Sequence, residues 1–107
     1  MIEVMNLRKV KPKHRYDVIV DRRSPLGNPF TLVDETKRRD VCRRYEIWLM
    51  REVRHSNQEV IDALSKLAKL HHSFGKLRLF CWCAPKECHA NVIKNFIRRV
   101  ERGGREK

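Results

Sequence analysis

Three thiols and an imidazole fall within nine residues of this chain, Cys81-Trp82-Cys83-Ala84-Pro85-Lys86-Glu87-Cys88-His89. Thiol and imidazole are the side chains best suited to act as nucleophile and as general acid or base near neutral pH, so Cys83, Cys88 and His89 are the candidate catalytic groups. Cys88 stands just before an expected helix, where the positive end of the helix dipole lowers a thiol pKa and favours a bound anion. His89 beside it can donate to the same anion. Cys81 lies in an apolar run and fits a buried core thiol. Cys81, Cys83, Cys88 and His89 are also zinc-ligand types, but C-x-C-x4-C-H lacks the paired C-x2-C knuckles of common structural sites. No cofactor is therefore expected, and zinc on those four residues is the alternative.

A second segment with chemical potential is Asp21-Arg22-Arg23-Ser24-Pro25-Leu26-Gly27-Asn28-Pro29-Phe30. Gly27 and Asn28 tolerate positive φ and the prolines stiffen their neighbours, which predicts a sharply turned, rigid loop. Arg22 and Arg23 offer guanidinium forks for a phosphate or carboxylate. The expected ligand-binding set is Arg22, Arg23, Ser24, Gly27 and Asn28, joined by Lys86 and Asn91. The competing structural reading is a turn in which Asn28 bonds its own backbone. Asp21 and Asp40 are the carboxylates to inspect as partners that would orient His89.

Both segments need a framework to meet. Ile2 to Leu7 alternates apolar and polar residues, and Asp17 to Val20 holds three successive β-branched residues, so each predicts a strand. The residues between them, Arg8 to Arg15, form a basic loop. A helix capped by Asp34 or Thr36 runs to about His55 on the apolar stripe Val41, Tyr45, Trp48, Leu49 and Val53. A second, capped by Ser56 or Asn57, runs to about Leu70, with Gly75 placed to end it. Lys76 to Trp82 is the strongest strand signal, and a third helix starts near His89 with Val92, Ile93, Phe96, Ile97 and Val100 inward. The order β-β-α-α-β-α predicts a small Rossmann-like α/β domain of two or three layers over residues 1–102, with a disordered basic tail at 103–107. Its last two strands should be parallel, which sends the loops 22–30 and 81–91 to one sheet edge, the edge where α/β folds bind ligands.

The 107 residues suit one domain, and a formal charge of +12 favours a polyanionic partner, nucleic acid or nucleotide. No apolar run reaches the roughly 20 residues that cross a bilayer, and the amino terminus lacks signal-peptide features, so a cytoplasmic protein without a membrane partner is expected. In a reducing cytosol, clustered cysteines point to reactivity or metal before disulfides. The 36% charged residues resemble a thermophile composition, which keeps a disulfide open.

Taken together, Arg23-Ser24-Pro25-Leu26-Gly27-Asn28-Pro29-Phe30, Tyr45 with Trp48-Leu49, and Cys81 to Ala90 resemble the domain-of-unknown-function family numbered 4326, across roughly Ile2 to Val100. That family occurs in bacteria, archaea and their viruses, and the resemblance implies the fold and the location of the site, with no particular reaction. The strand and Cys-His step into a helix are similar to another uncharacterised family of Rossmann-like domains, a likeness at the level of fold. Three functions follow as expectations: a nucleic-acid or nucleotide-binding domain, an enzyme acting on a nucleotide or modified base through Cys88 or Cys83 and His89, or a zinc-stabilised interaction module. Alanine at Asn28, Cys88 or His89 is expected to weaken ligand binding at little cost in stability.

Overall fold

Ile2 and Val4 alternate with Glu3 and Met5, and a period of two sends each pair to its own face of a strand. The computed structural model describes residues 1–30, 34–84 and 86–106, with side chains as far as 102. It contains β1 (Ile2–Asn6), β2 (Asp17–Ile19) and β3 (Leu77–Cys81). The helices are α1 (Arg38–Arg54), preceded by a 3-10 turn at Glu35–Lys37, then α2 (Gln58–Phe74) and α3 (His89–Glu106). The domain is thus α/β, in the order expected from the sequence.

β3 occupies the centre of the sheet, in the order β1-β3-β2, and both pairings are parallel. Register places Val4 and Val18 on either side of Leu79, and Ile2 opposite Leu77. Paired residues share a face. On it Ile2, Leu77, Leu79 and Cys81 join Tyr45, Leu49, Leu64, Leu67, Ile93 and Ile97 in one buried cluster, so the helices pack on a single side of the sheet. Phe80 points to the opposite face and is fully buried there, with the Arg78 guanidinium 5.2 Å from its ring centroid. Arg78 also forms a two-bonded fork with Asp17, at 2.7 and 2.9 Å. Asp17 accepts the amides of Lys13 and His14 at 2.8 and 2.9 Å, which ties the end of the basic loop to the sheet.

Element ends follow local chemistry. Asp34 caps the 3-10 turn through the Thr36 amide, and Asn57, rather than Ser56, caps α2 through the Val60 amide. α2 continues a turn beyond Leu70 because its end is decided by Gly75, which takes the left-handed conformation at φ 65°. β3 is shorter than the Lys76–Trp82 expected. Its pairing with β1 stops where Asn6 meets Cys81. Cys42, absent from the expected α1 stripe, belongs to its buried face. The helical backbone of α3 continues to Glu106, while the side chains of 103–106 and all of Lys107 lie outside the described residues, as does Pro85 of the second loop. Among the described residues no helix is long and apolar enough to cross a membrane.

Candidate functional site

Because β2 and β3 run parallel, their following segments leave from the same sheet edge. Asp21 fastens them together. It is buried, and its carboxylate accepts from the Arg23 amide at 3.0 Å, from the Arg23 guanidinium at 2.7 Å and from the Trp82 indole at 3.1 Å. The hydrogen bonds from Arg23 outweigh burial and hold the Asp21 carboxyl at about 2.

The first loop is shaped by its own side chains. Ser24 Oγ accepts from the Leu26 amide, Asn28 Oδ1 accepts from the Phe30 amide, and the Tyr45 hydroxyl donates to the Leu26 carbonyl at 2.6 Å. Gly27 does not use positive φ, contrary to expectation; among the described glycines Gly75 does. The requirement is spatial: a Cβ on Gly27 would stand 2.6 Å from both Arg22 Cα and the Asp21 carbonyl oxygen. Gly27→Ala should therefore force the loop apart and cost about 1–3 kcal/mol, the usual price of overpacking. Chemical denaturation would show it, and a midpoint equal to that of the wild type would refute it.

Three contacts anchor the second loop. Asn6 Nδ2 donates to the Ala84 carbonyl at 2.7 Å, Arg38 Nη1 donates to the Glu87 carbonyl at 3.0 Å, and Trp82 holds Asp21. Arg38 bonds Glu35 through its other two nitrogens, at 2.9 and 2.7 Å, and lines the same cavity as Cys83. Cys88 immediately precedes α3, and its amide donates to Asn91 Oδ1 at 3.0 Å. The Cys81 and Cys88 sulfurs are 3.2 Å apart. A hydrogen bond from Cys88, with the amides of Cys83 and Ala84, holds the Cys81 thiol below its ordinary value. Cys88 is pushed up, because its proton is engaged by Cys81 and its surroundings are buried.

His89 is buried, with Nε2 bonded to the Val20 carbonyl and its ring edge-on to Tyr45 at 5.2 Å between centroids. A carbonyl only accepts, so Nε2 carries the proton and Nδ1 keeps a lone pair. Among the described residues nothing bonds Nδ1. Burial pushes the His89 pKa below the ordinary imidazole value, which keeps the ring neutral at pH 7. The orienting partner is thus a main-chain carbonyl, which no side-chain pattern could reveal. Asp40 lies exposed in the first turn of α1, and Asp21 is occupied by Arg23 and Trp82.

Arg22 and Asn28 from the first loop and Trp82, Cys83, Cys88 and His89 from the second line one cavity of about 190 Å³. Phe30 and Val41 extend its apolar wall. This volume is below the range of roughly 300 to 1,000 Å³ common for ligand pockets, so it suits one ring or one small group. Other expected site residues do not line this cavity. Arg23 pairs with Asp21, Ser24 and Gly27 form the turn, Asn91 caps α3, and Lys86 sits on the surface 3.6 Å from Glu35. Arg38 and Trp82 were missed: a first-turn arginine and an aromatic after a strand look like surface and core. Among the described residues no group of three or more His, Cys, Asp or Glu side chains is arranged to hold a metal ion.

Residues 5–99 match the model of the family described as Domain of unknown function (DUF4326), and the chain belongs to that family. No curated protein and no solved structure matches it.

Proposed function

We propose that this domain binds a nucleotide, free or within a nucleic acid, with the base in the cavity between the two loops and the phosphate at its basic rim. The carrying observation is the convergence of complementary groups on one small cavity. Asn28 has its oxygen occupied by the Phe30 amide and so offers its NH2 as donor, His89 Nδ1 offers an acceptor, and Trp82 and Phe30 offer aromatic surface. Base edges carry such donor and acceptor patterns, and every base stacks on an aromatic ring. Arg22 lines the cavity, Arg23 and Lys86 are exposed on the two loops that form it, and the +12 charge favours a polyanion. Binding at the carboxyl edge of a parallel sheet is the habit of Rossmann-like domains.

Calorimetric titration of the protein with nucleoside monophosphates, inorganic phosphate and short single strands tests this. A nucleotide should bind more tightly than phosphate, with affinity falling as salt rises. Arg22→Ala and Asn28→Asp, the latter keeping an acceptor for the Phe30 amide, should each weaken binding about tenfold, or about 1.4 kcal/mol. Silence across the whole panel at about 50 mM salt, where phosphate contacts are strongest, would overturn the proposal.

One observation favours a second reading, an enzyme acting on a nucleotide or modified base. His89 is neutral with one nitrogen free, and Cys83 is half-exposed in the same cavity beside Arg38, so a base, a nucleophile and a cation share the space. Chromatography of nucleotides incubated with wild type and Cys83→Ser would reveal turnover that the variant loses.

A further inference from the structure

The two buried sulfurs at the cavity form a feature that nucleotide binding does not use. Cys81 and Cys88 are both free thiols, with sulfurs 3.2 Å apart, against about 2.05 Å in a disulfide. A small side-chain rotation spans that difference. Their environments are unequal. Cys81 is sealed in the core at the end of β3, whereas Cys88, equally part of the core cluster, also lines the cavity. Only the second sulfur can be reached from outside, and the first stands directly behind it.

We propose that Cys81 and Cys88 are a redox-sensitive dithiol that closes to a disulfide when a small hydroperoxide enters the cavity at Cys88. The Cys88 sulfur passes its proton across the 3.2 Å contact to the Cys81 thiolate and attacks the outer peroxide oxygen, and the O–O bond breaks. The alkoxide, or hydroxide from hydrogen peroxide, leaves and takes a proton from water, and Cys88 becomes a sulfenic acid. The Cys81 sulfur then attacks the Cys88 sulfur, the S–O bond breaks, and the departing hydroxide takes the Cys81 proton to form water. Two thiols lose two electrons, and the peroxide bond gains them. Hydrogen bonding favours the thiolate at Cys81, which stands 3.2 Å from Cys88 to receive its proton. Closure would draw the Cys88 sulfur out of the cavity. This inference does not depend on nucleotide binding.

The test is oxidation of the fully reduced chain with one equivalent of hydrogen peroxide, followed by alkylation, intact mass and peptide mapping. Trypsin cuts after Lys86, so a Cys81–Cys88 bond links peptide 79–86 to peptide 87–94. The expected result is a monomer lighter by two hydrogens, that link assigned to Cys81 by fragmentation, Cys42 and Cys83 alkylated, and full reversal by dithiothreitol. Cys83→Ser and Cys42→Ser should leave the link intact, while Cys81→Ser and Cys88→Ser should abolish it. A bond through Cys83 or Cys42, a bond between chains, Cys88 sulfinic acid without a link, or no change in mass would each overturn the proposal; the wild-type map decides even if a variant fails to fold.

Discussion

Asp17→Ala should destabilise the domain by about 3–5 kcal/mol, the range for removing one partner of a buried ion pair. The Asp17 side chain is 1% exposed and that of Arg78 11%, so the abandoned guanidinium would have little access to water. The amides of Lys13 and His14 would lose their acceptor as well, and the basic loop its tie to β2. Burial alone pushes the Asp17 carboxyl up, but the Arg78 fork and those amides more than reverse it, holding it well below the usual carboxylate range. A group whose folded pKa is depressed contributes stability above its unfolded pKa and loses it as the pH falls through the folded one. Asp17 and Asp21 should therefore make the domain acid-labile below about pH 4, and His89, also depressed, should begin the loss from about pH 6.5. Urea denaturation from neutral to acid pH checks both points: Asp17→Ala should lower the neutral plateau and flatten its fall below about pH 4. A loss under about 1 kcal/mol, typical of an exposed pair, would show that the pair is effectively solvated.

Leu79→Ala should cost about 2–5 kcal/mol, the second large effect. Leu79 has no exposure, lies in the central strand between Val4 and Val18, and faces all three helices' core residues. Neither neighbouring strand can move inward to fill the void without breaking its ladder, so most of the cavity should persist. Thermal unfolding should show a large fall in midpoint, whereas Asn28→Asp and Arg22→Ala should change it little, because both side chains border open space. A Leu79→Ala midpoint close to that of the wild type would mean that the core relaxes around the gap. His89 and Cys88 fall on the core side of this comparison. Both are buried, His89 bonded to the Val20 carbonyl and the Cys88 sulfur against that of Cys81, so the expectation that alanine there costs little stability does not suit their surroundings.

Where local patterning decides structure, the sequence sufficed. Alternation in Ile2 to Asn6, the stripe through Tyr45 and Leu49, and the spacing of Val92, Ile93 and Ile97 are consequences of strand and helix periods, and the elements form there. The β-β-α-α-β-α order then implies parallel strands, and parallel strands deliver Asn28 and His89 to one edge. Gly27 was recognisable as special, but its reason was not, because the crowding by Arg22 Cα and the Asp21 carbonyl exists only once the loop has closed. Side-chain partners at long range carried no signal. Asp21 meets Trp82 across 61 residues, and His89 meets the Val20 carbonyl across 69, because the sheet makes them neighbours. The sequence alone therefore determined which residue types and which segments meet. Tertiary packing decided which side chains were consumed in holding the loops, as Arg23, Ser24 and Asn91 are, and which were left facing the cavity, since burial and hydrogen-bond satisfaction belong to the folded surroundings of a residue and not to its place along the chain.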